Sequence, residues 1–146
     1  MSAQRTASTT WEGDLAHGAG TLTLTSGATG DLPITWASRT ERSDGKTSPE
    51  ELIAAAHASC FSMALAHGLT QGGNPPDSLQ VQATVTLDTE GSGPRISASR
   101  LTVRGRAPGL DQAGFEAAAQ DAGQNCPVSA ALRGSLAIEV EATLED

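Results

Sequence analysis

The chain's two cysteines carry the side chains best suited to nucleophilic, redox or metal-binding chemistry: Cys60 in "HASCFSMAL" and Cys126 in "GQNCPVSAAL". In a reducing compartment structural disulfides are rare, so two such residues are inert core thiols, metal ligands or a working redox pair. Cys60 lies among small and apolar residues, where a cysteine most often serves as a small hydrophobe. His57 precedes it at i, i+3, which admits a zinc reading. That reading would also need Cys126 and another histidine, and no close-spaced second ligand pair exists. Asn125-Cys126-Pro127 puts Cys126 at or next to a helix N-cap, where free N–H groups and the macrodipole favour a thiolate. On those grounds Cys126 is the more acidic thiol. Cys60, in mid-helix, gains nothing from the dipole, and burial raises its pKa. If Cys60 attacks, a cation must come from elsewhere, and Arg39, Arg42 and Lys46 in the preceding loop are the candidates. His57 reads as a satisfied core histidine, with no catalytic role.

The element that positions Cys60 is easy to delimit. "SPEE" is a capping box, with Ser48 as N-cap, Glu51 three residues on, and Pro49 at the first helical position. The helix runs to about Gly68, and "QGGNPPD" (71–77) cannot continue it. Residues 52–65, "LIAAAHASCFSMAL", are apolar on nearly every side, so the helix must be buried all round. Little material remains in the chain to cover it, which predicts packing against a second copy. Cys126 starts a short helix of its own, again with proline at the first helical position.

Around these helices the pattern is that of strands. "TASTTWEG", "GTLTLTS" and "DLPITWAS" alternate, and in the second Leu22 and Leu24 share a buried face. "RTERSDGKT" (39–47) is a polar loop. "LQVQATVTLDTE" (79–90) and "RISASRLTVRGRA" (95–107) form two more strands joined at "GSGP". A helix follows from N-cap Asp111 through "FEAAAQDA", and "SLAIEVEATLE" (135–145) is a final strand. The class is α+β. The 146 residues suit one domain, 1–146, with no boundary or repeat in view. A net charge of −8 with no basic run disfavours nucleic acid and anionic membranes as partners. "MSAQRTASTTWEGD" lacks a signal peptide's apolar segment, and the longest uninterrupted apolar run is far short of a membrane span. The expected compartment is the cytoplasm.

"PEELIAAAHASCFSMAL" followed downstream by "NCPVSAAL" resembles the OsmC/Ohr family of organic hydroperoxide reductases, and most closely its OsmC branch. The likeness extends from "WEGD" (11–14) and "GAGTLT" (18–23) through "RTER" to the last strand. It implies an OsmC-like fold, with antiparallel sheets packed around long central helices in an intertwined homodimer. The active sites would lie at the subunit interface. It implies a peroxidase acting in oxidative and osmotic stress, with Cys60 as peroxidatic thiol, Cys126 as resolving thiol, and Arg39 paired to Glu50. Arg42 is the alternative arginine, because the loop is slightly longer than the family's usual one. No cofactor or metal is implied; the partners are an organic hydroperoxide and a dithiol reductant of lipoyl or small-molecule type.

Glu50 precedes Cys60 by ten residues, about 15 Å along a straight helix at 1.5 Å per residue. It therefore orients an arginine or serves the other subunit's site. Ile53, Phe61, Met63, Leu65 and Trp36 are expected to give the site apolar walls. The rival reading is a non-enzymatic binding or stress protein with two inert thiols. A general disulfide oxidoreductase is disfavoured by the absence of a Cys-x-x-Cys motif.

Overall fold

In chain order the elements are β1 (Ala7–Glu12), β2 (Ala19–Leu24), β3 (Leu32–Ile34), α1 (Trp36–Thr40), α2 (Pro49–Gln71), β4 (Ser78–Asp88), β5 (Arg95–Arg106), α3 (Gln112–Asn125), α4 (Pro127–Leu132) and β6 (Ala137–Leu144). They come from a computed structural model that describes all of Met1–Asp146. The chain forms two compact units, Met1–Leu52 and Ile53–Asp146, divided inside α2.

In the first unit β1, β2 and β3 form an antiparallel sheet in sequence order. Gly20 and Leu22 point to its buried face, as the alternation predicts. A Cβ at Gly20 would come within 2.8 Å of the Trp11 ring and 2.9 Å of Ile34, so glycine is what lets these strands close up. The strand expected over "DLPITWAS" ends at Ile34, and Trp36–Thr40 is a helix instead. Thr35 and Ser38 build a reciprocal capping box: each side chain accepts the other's backbone N–H, both at 3.0 Å.

Helix α2 starts where expected. Ser48 Oγ accepts the Glu51 N–H at 3.1 Å, but Glu51 does not reach back; its carboxylate accepts the Thr47 hydroxyl at 2.6 Å. At the other end the helix continues to Gln71, three residues past Gly68.

In the second unit β4 and β5 are antiparallel, while β6 joins β5 parallel, from Ala98↔Ala137 to Gly105↔Leu144. The antiparallel expectation therefore holds for the first sheet and for β4–β5 only. The physical reason is the crossover: α3 and α4 carry the chain back to the starting end of β5, and such a return makes a parallel pair. His57, Phe61, Leu65 and Leu69 of α2 recur every four residues and are buried as one stripe. The apolar members pack with Leu101 and Val103 of β5 and with Phe115, Ala119 and Ala122 of α3. Asp111 caps α3 by accepting the Gly114 N–H at 2.8 Å.

The expectation of burial all round α2 is not met within one chain. Ala55, Ala56, Ser59, Met63 and His67 are exposed, Met63 at 72%. Helix α2, 23 residues long, contains an 18-residue window of mean hydropathy 1.4 and so matches a membrane span by length and composition, although its longest uninterrupted apolar run does not. Its buried stripe gives it a packing partner in the chain's own core.

Candidate active site

The first unit builds an arginine–carboxylate pair. Arg39 stands in the last turn of α1, and Glu50 in the first turn of α2. Arg39 Nε donates to Glu50 Oε1 at 2.9 Å and to Oε2 at 3.2 Å, and Nη2 lies 2.9 Å from Oε1. Glu50 is buried and the Arg39 side chain is 30% exposed. The Trp36 ring lies under the guanidinium, 5.8 Å from its carbon, which adds a cation–π contact. This is a fork held in one orientation, with Nη1 left free of the carboxylate. Arg42, the alternative, is 86% exposed and has only a 3.7 Å contact to Asp44. The geometry therefore separates the two: Arg39 is fixed and Arg42 is a surface charge.

The second unit brings the two cysteines together. Both are free thiols; Cys126 is fully buried, and Cys60 is partly exposed and packs against the same cluster. Cys126 is both the C-cap of α3 and the N-cap of α4, with Pro127 at the first position of α4. Its sulfur closes no cap hydrogen bond of ordinary length. The Val128 and Ser129 N–H groups, the Ser129 hydroxyl and the Cys60 thiol are nonetheless close enough to stabilise a thiolate there. Burial is the largest single influence on Cys126 and pushes its pKa up. Together these four donors outweigh it and leave the thiol below its ordinary value. That balance is reasonable, since one hydrogen bond to a charged group contributes about 1.5–3 kcal/mol. Cys60 goes the other way: burial and then the neighbouring Cys126 push its pKa up, against one helping N–H from Val128. Of the two, Cys126 is therefore the thiol that ionises more readily. The order of acidity is the one expected from the helix N-terminus.

His57 is fully buried in the second unit, and burial holds its pKa below the ordinary value, so the ring is neutral. Its Nδ1 pairs with Ser99 Oγ at 2.6 Å and its Nε2 with Ser129 Oγ at 2.8 Å. The satisfied core histidine expected from the sequence is present, but its two serine partners were not foreseen. They lie 42 and 72 residues along the chain. The one local signal is that Ser129 stands three residues after Cys126, at the capping-box position of α4.

Two expected wall residues are elsewhere. Phe61 and Leu65 are fully buried in the core, at 0% accessibility each, because they share the His57 stripe. Ile53 and Met63 retain accessible surface, and Trp36 backs the arginine.

The family model for OsmC-like protein matches residues 42–141. Over 131 residues the chain is 39% identical to Peroxiredoxin OsmC of Escherichia coli strain K12, covering 90% of this chain and 91% of that one. It is 34% identical over 106 residues to Organic hydroperoxide resistance protein-like 1 of Staphylococcus saprophyticus, covering 68% and 71% of the two chains. Among solved structures, the organic hydroperoxide resistance protein OhrB of Bacillus subtilis superposes with a TM-score of 0.72 at 28% identity, over 94% of this chain and 98% of that one. An OsmC-like protein from Mycoplasma pneumoniae has the same fold at 15% identity, with a TM-score of 0.73 and full coverage of both chains.

Proposed function

The chain belongs to the OsmC-like protein family, and from that premise we propose that it is a thiol peroxidase reducing organic hydroperoxides to alcohols. The observation that carries the reading is the asymmetry of the thiol pair: two adjoining free thiols, one accessible and one sealed. Only Cys60 has surface on which a hydroperoxide can arrive. Only Cys126 is placed to meet what the reaction leaves on Cys60.

The chemistry then runs in three balanced steps. Cys60 loses its proton, and its thiolate attacks one oxygen of ROOH. An S–O bond forms, the O–O bond breaks, and the alkoxide takes a proton to leave as ROH. Cys60 is now a sulfenic acid. Cys126 attacks that sulfur, water leaves, and a Cys60–Cys126 disulfide remains. An external dithiol restores both thiols. Arg39 supplies the positive charge that this scheme needs, since the pair alone favours ionising Cys126. An arginine draws the thiolate onto Cys60 and stabilises the departing alkoxide. Glu50 keeps its fork in place.

Arg39→Ala is expected to slow peroxide oxidation of Cys60 by about 10²-fold, the order seen when one charge-stabilising donor is lost. Arg42→Ala should stay within about twofold. Stopped-flow thiol loss measures both; the reverse ranking would move the role to Arg42.

Apolar surface near Cys60, now reduced to Ile53 and Met63, favours bulky substrates, because each buried CH₂ contributes about 0.8 kcal/mol. kcat/KM should rise from H₂O₂ through tert-butyl to cumene hydroperoxide, measured as peroxide consumption with dithiothreitol. Equal values across the series would remove the case for organic substrates.

The assembly is a homodimer in the cytoplasm in this reading. The exposed side of α2 is lined by Ala55, Ala56, Ser59 and Met63, small residues around one long apolar one, continuous with the accessible side of Cys60. Sedimentation at micromolar concentration should give twice the chain mass of 14.8 kDa; a species at the chain mass alone would count against the dimer.

A further inference from the structure

The proposed peroxidase cycle gives His57 and its two serines no task, although all three are fully buried and one of them, Ser129, stands in the helix that Cys126 caps. A buried polar chain of this kind is costly unless every member is satisfied, and here no buried side-chain polar atom lacks a partner.

The hydrogen-bond directions can be worked out. His57 is neutral, so one ring nitrogen donates and the other accepts. Ser129 has one proton. If it donates to the Cys126 sulfur, it must accept from His57 Nε2–H, and Nδ1 must then accept from the Ser99 hydroxyl. Every group in Ser99–His57–Ser129–Cys126 then donates and accepts in one direction, ending on sulfur. Ser129 lies in the first turn of the helix that Cys126 caps, so the hydrogen-bonded chain ends beside Cys126. Cys60 is the titratable group acting directly on Cys126, and Ser129 stands between Cys126 and His57.

We propose that Ser129, aligned by His57 and Ser99, is a positioning residue that receives Cys126 as a leaving thiolate during disulfide reduction, and so directs the external dithiol to Cys60. This rests on the peroxidase reading above for the disulfide's place in a cycle. The thiolate of the dithiol attacks Cys60 Sγ; a new S–S bond forms, the Cys60–Cys126 bond breaks, and its electron pair stays on Cys126. The dithiol's second thiol then attacks its own sulfur in the mixed disulfide. Cys60 leaves and is protonated, and the dithiol departs as a cyclic disulfide, having given two electrons and two protons to the pair. Two features select this direction. Attack must come opposite the leaving sulfur, and buried Cys126 offers no approach. The better-stabilised thiolate also leaves faster.

The disulfide is made with diamide, so the test does not depend on peroxide chemistry. Failure of peroxide to oxidise the pair would sink the peroxidase reading and leave this measurement intact. With the full chain and excess dithiothreitol, Ser129→Ala should slow disulfide reduction about tenfold, the size of one hydrogen bond to a charged group. Ser129→Thr, which keeps the hydroxyl, should recover most of that loss. In the wild-type disulfide, glutathione, a single thiol that cannot complete the exchange internally, should be found on Cys60 by peptide mass spectrometry. Equal rates for Ser129→Ala, no recovery with a folded Ser129→Thr, or glutathione joined to Cys126 overturns the proposal.

Discussion

Cys60→Ser is expected to reduce hydroperoxide consumption to the uncatalysed background, a loss of at least about 10³-fold, as for removal of a covalent nucleophile. A serine hydroxyl stays protonated at neutral pH, and its oxygen cannot pass through the sulfenic acid on which the cycle depends. The fold should tolerate the change, because Cys60 is only partly buried and sits at the margin of the core. The result discriminates between the thiols, since Cys126 is the more acidic of the two in this structure. If acidity alone chose the nucleophile, Cys60→Ser would retain a substantial fraction of activity. If access chooses it, the fully buried Cys126 cannot substitute. Peroxide consumption with dithiothreitol as reductant measures the difference.

The parts of the fold that follow local rules are legible in the chain. The start of α2 follows from Ser48 and Pro49, that of α3 from Asp111, and that of α4 from Pro127. Each signal lies within three residues of the boundary it sets. Helix α1 escapes because its capping box is Thr35 with Ser38, and not the Ser/Thr–Glu pattern that marks α2. The parallel pairing of β6 escapes because alternation fixes which face a strand buries but not its neighbour's direction. Phe61 and Leu65 look like pocket walls when judged by their nearness to Cys60. Their four-residue spacing from His57 is what puts them in the core.

The site divides along the same line. Cys60 and Cys126 stand out by residue type and context, and Glu50 by the family resemblance that "PEEL" carries. That Arg39 is held by a fork to Glu50 and by the Trp36 ring while Arg42 is exposed is something sequence spacing does not show. Ser99 and Ser129 are two ordinary serines until the fold brings both to one imidazole.

The second large effect belongs to Cys126→Ser, which leaves the nucleophile and removes its partner. The first oxidation of Cys60 should proceed near the wild-type rate, because the peroxide meets Cys60 and not Cys126. The sulfenic acid then has nowhere to go. It should react with dimedone, and under excess peroxide it should take a further oxygen to the irreversible sulfinic acid, so that activity fades over successive turnovers. Wild type should be spared, because in the proposed cycle the buried thiol condenses with the sulfenic acid before a second peroxide arrives.

Intact-mass spectrometry of the two proteins after excess cumene hydroperoxide tests the assignment of the thiol pair most directly. Wild type should lose about 2 Da per chain as two thiol hydrogens leave, and Cys126→Ser should gain about 32 Da as the sulfinic acid forms. A wild-type mass that does not change, or a Cys126→Ser protein that keeps cycling with dithiothreitol and shows no added oxygen, would contradict a Cys60 peroxidatic thiol resolved by Cys126.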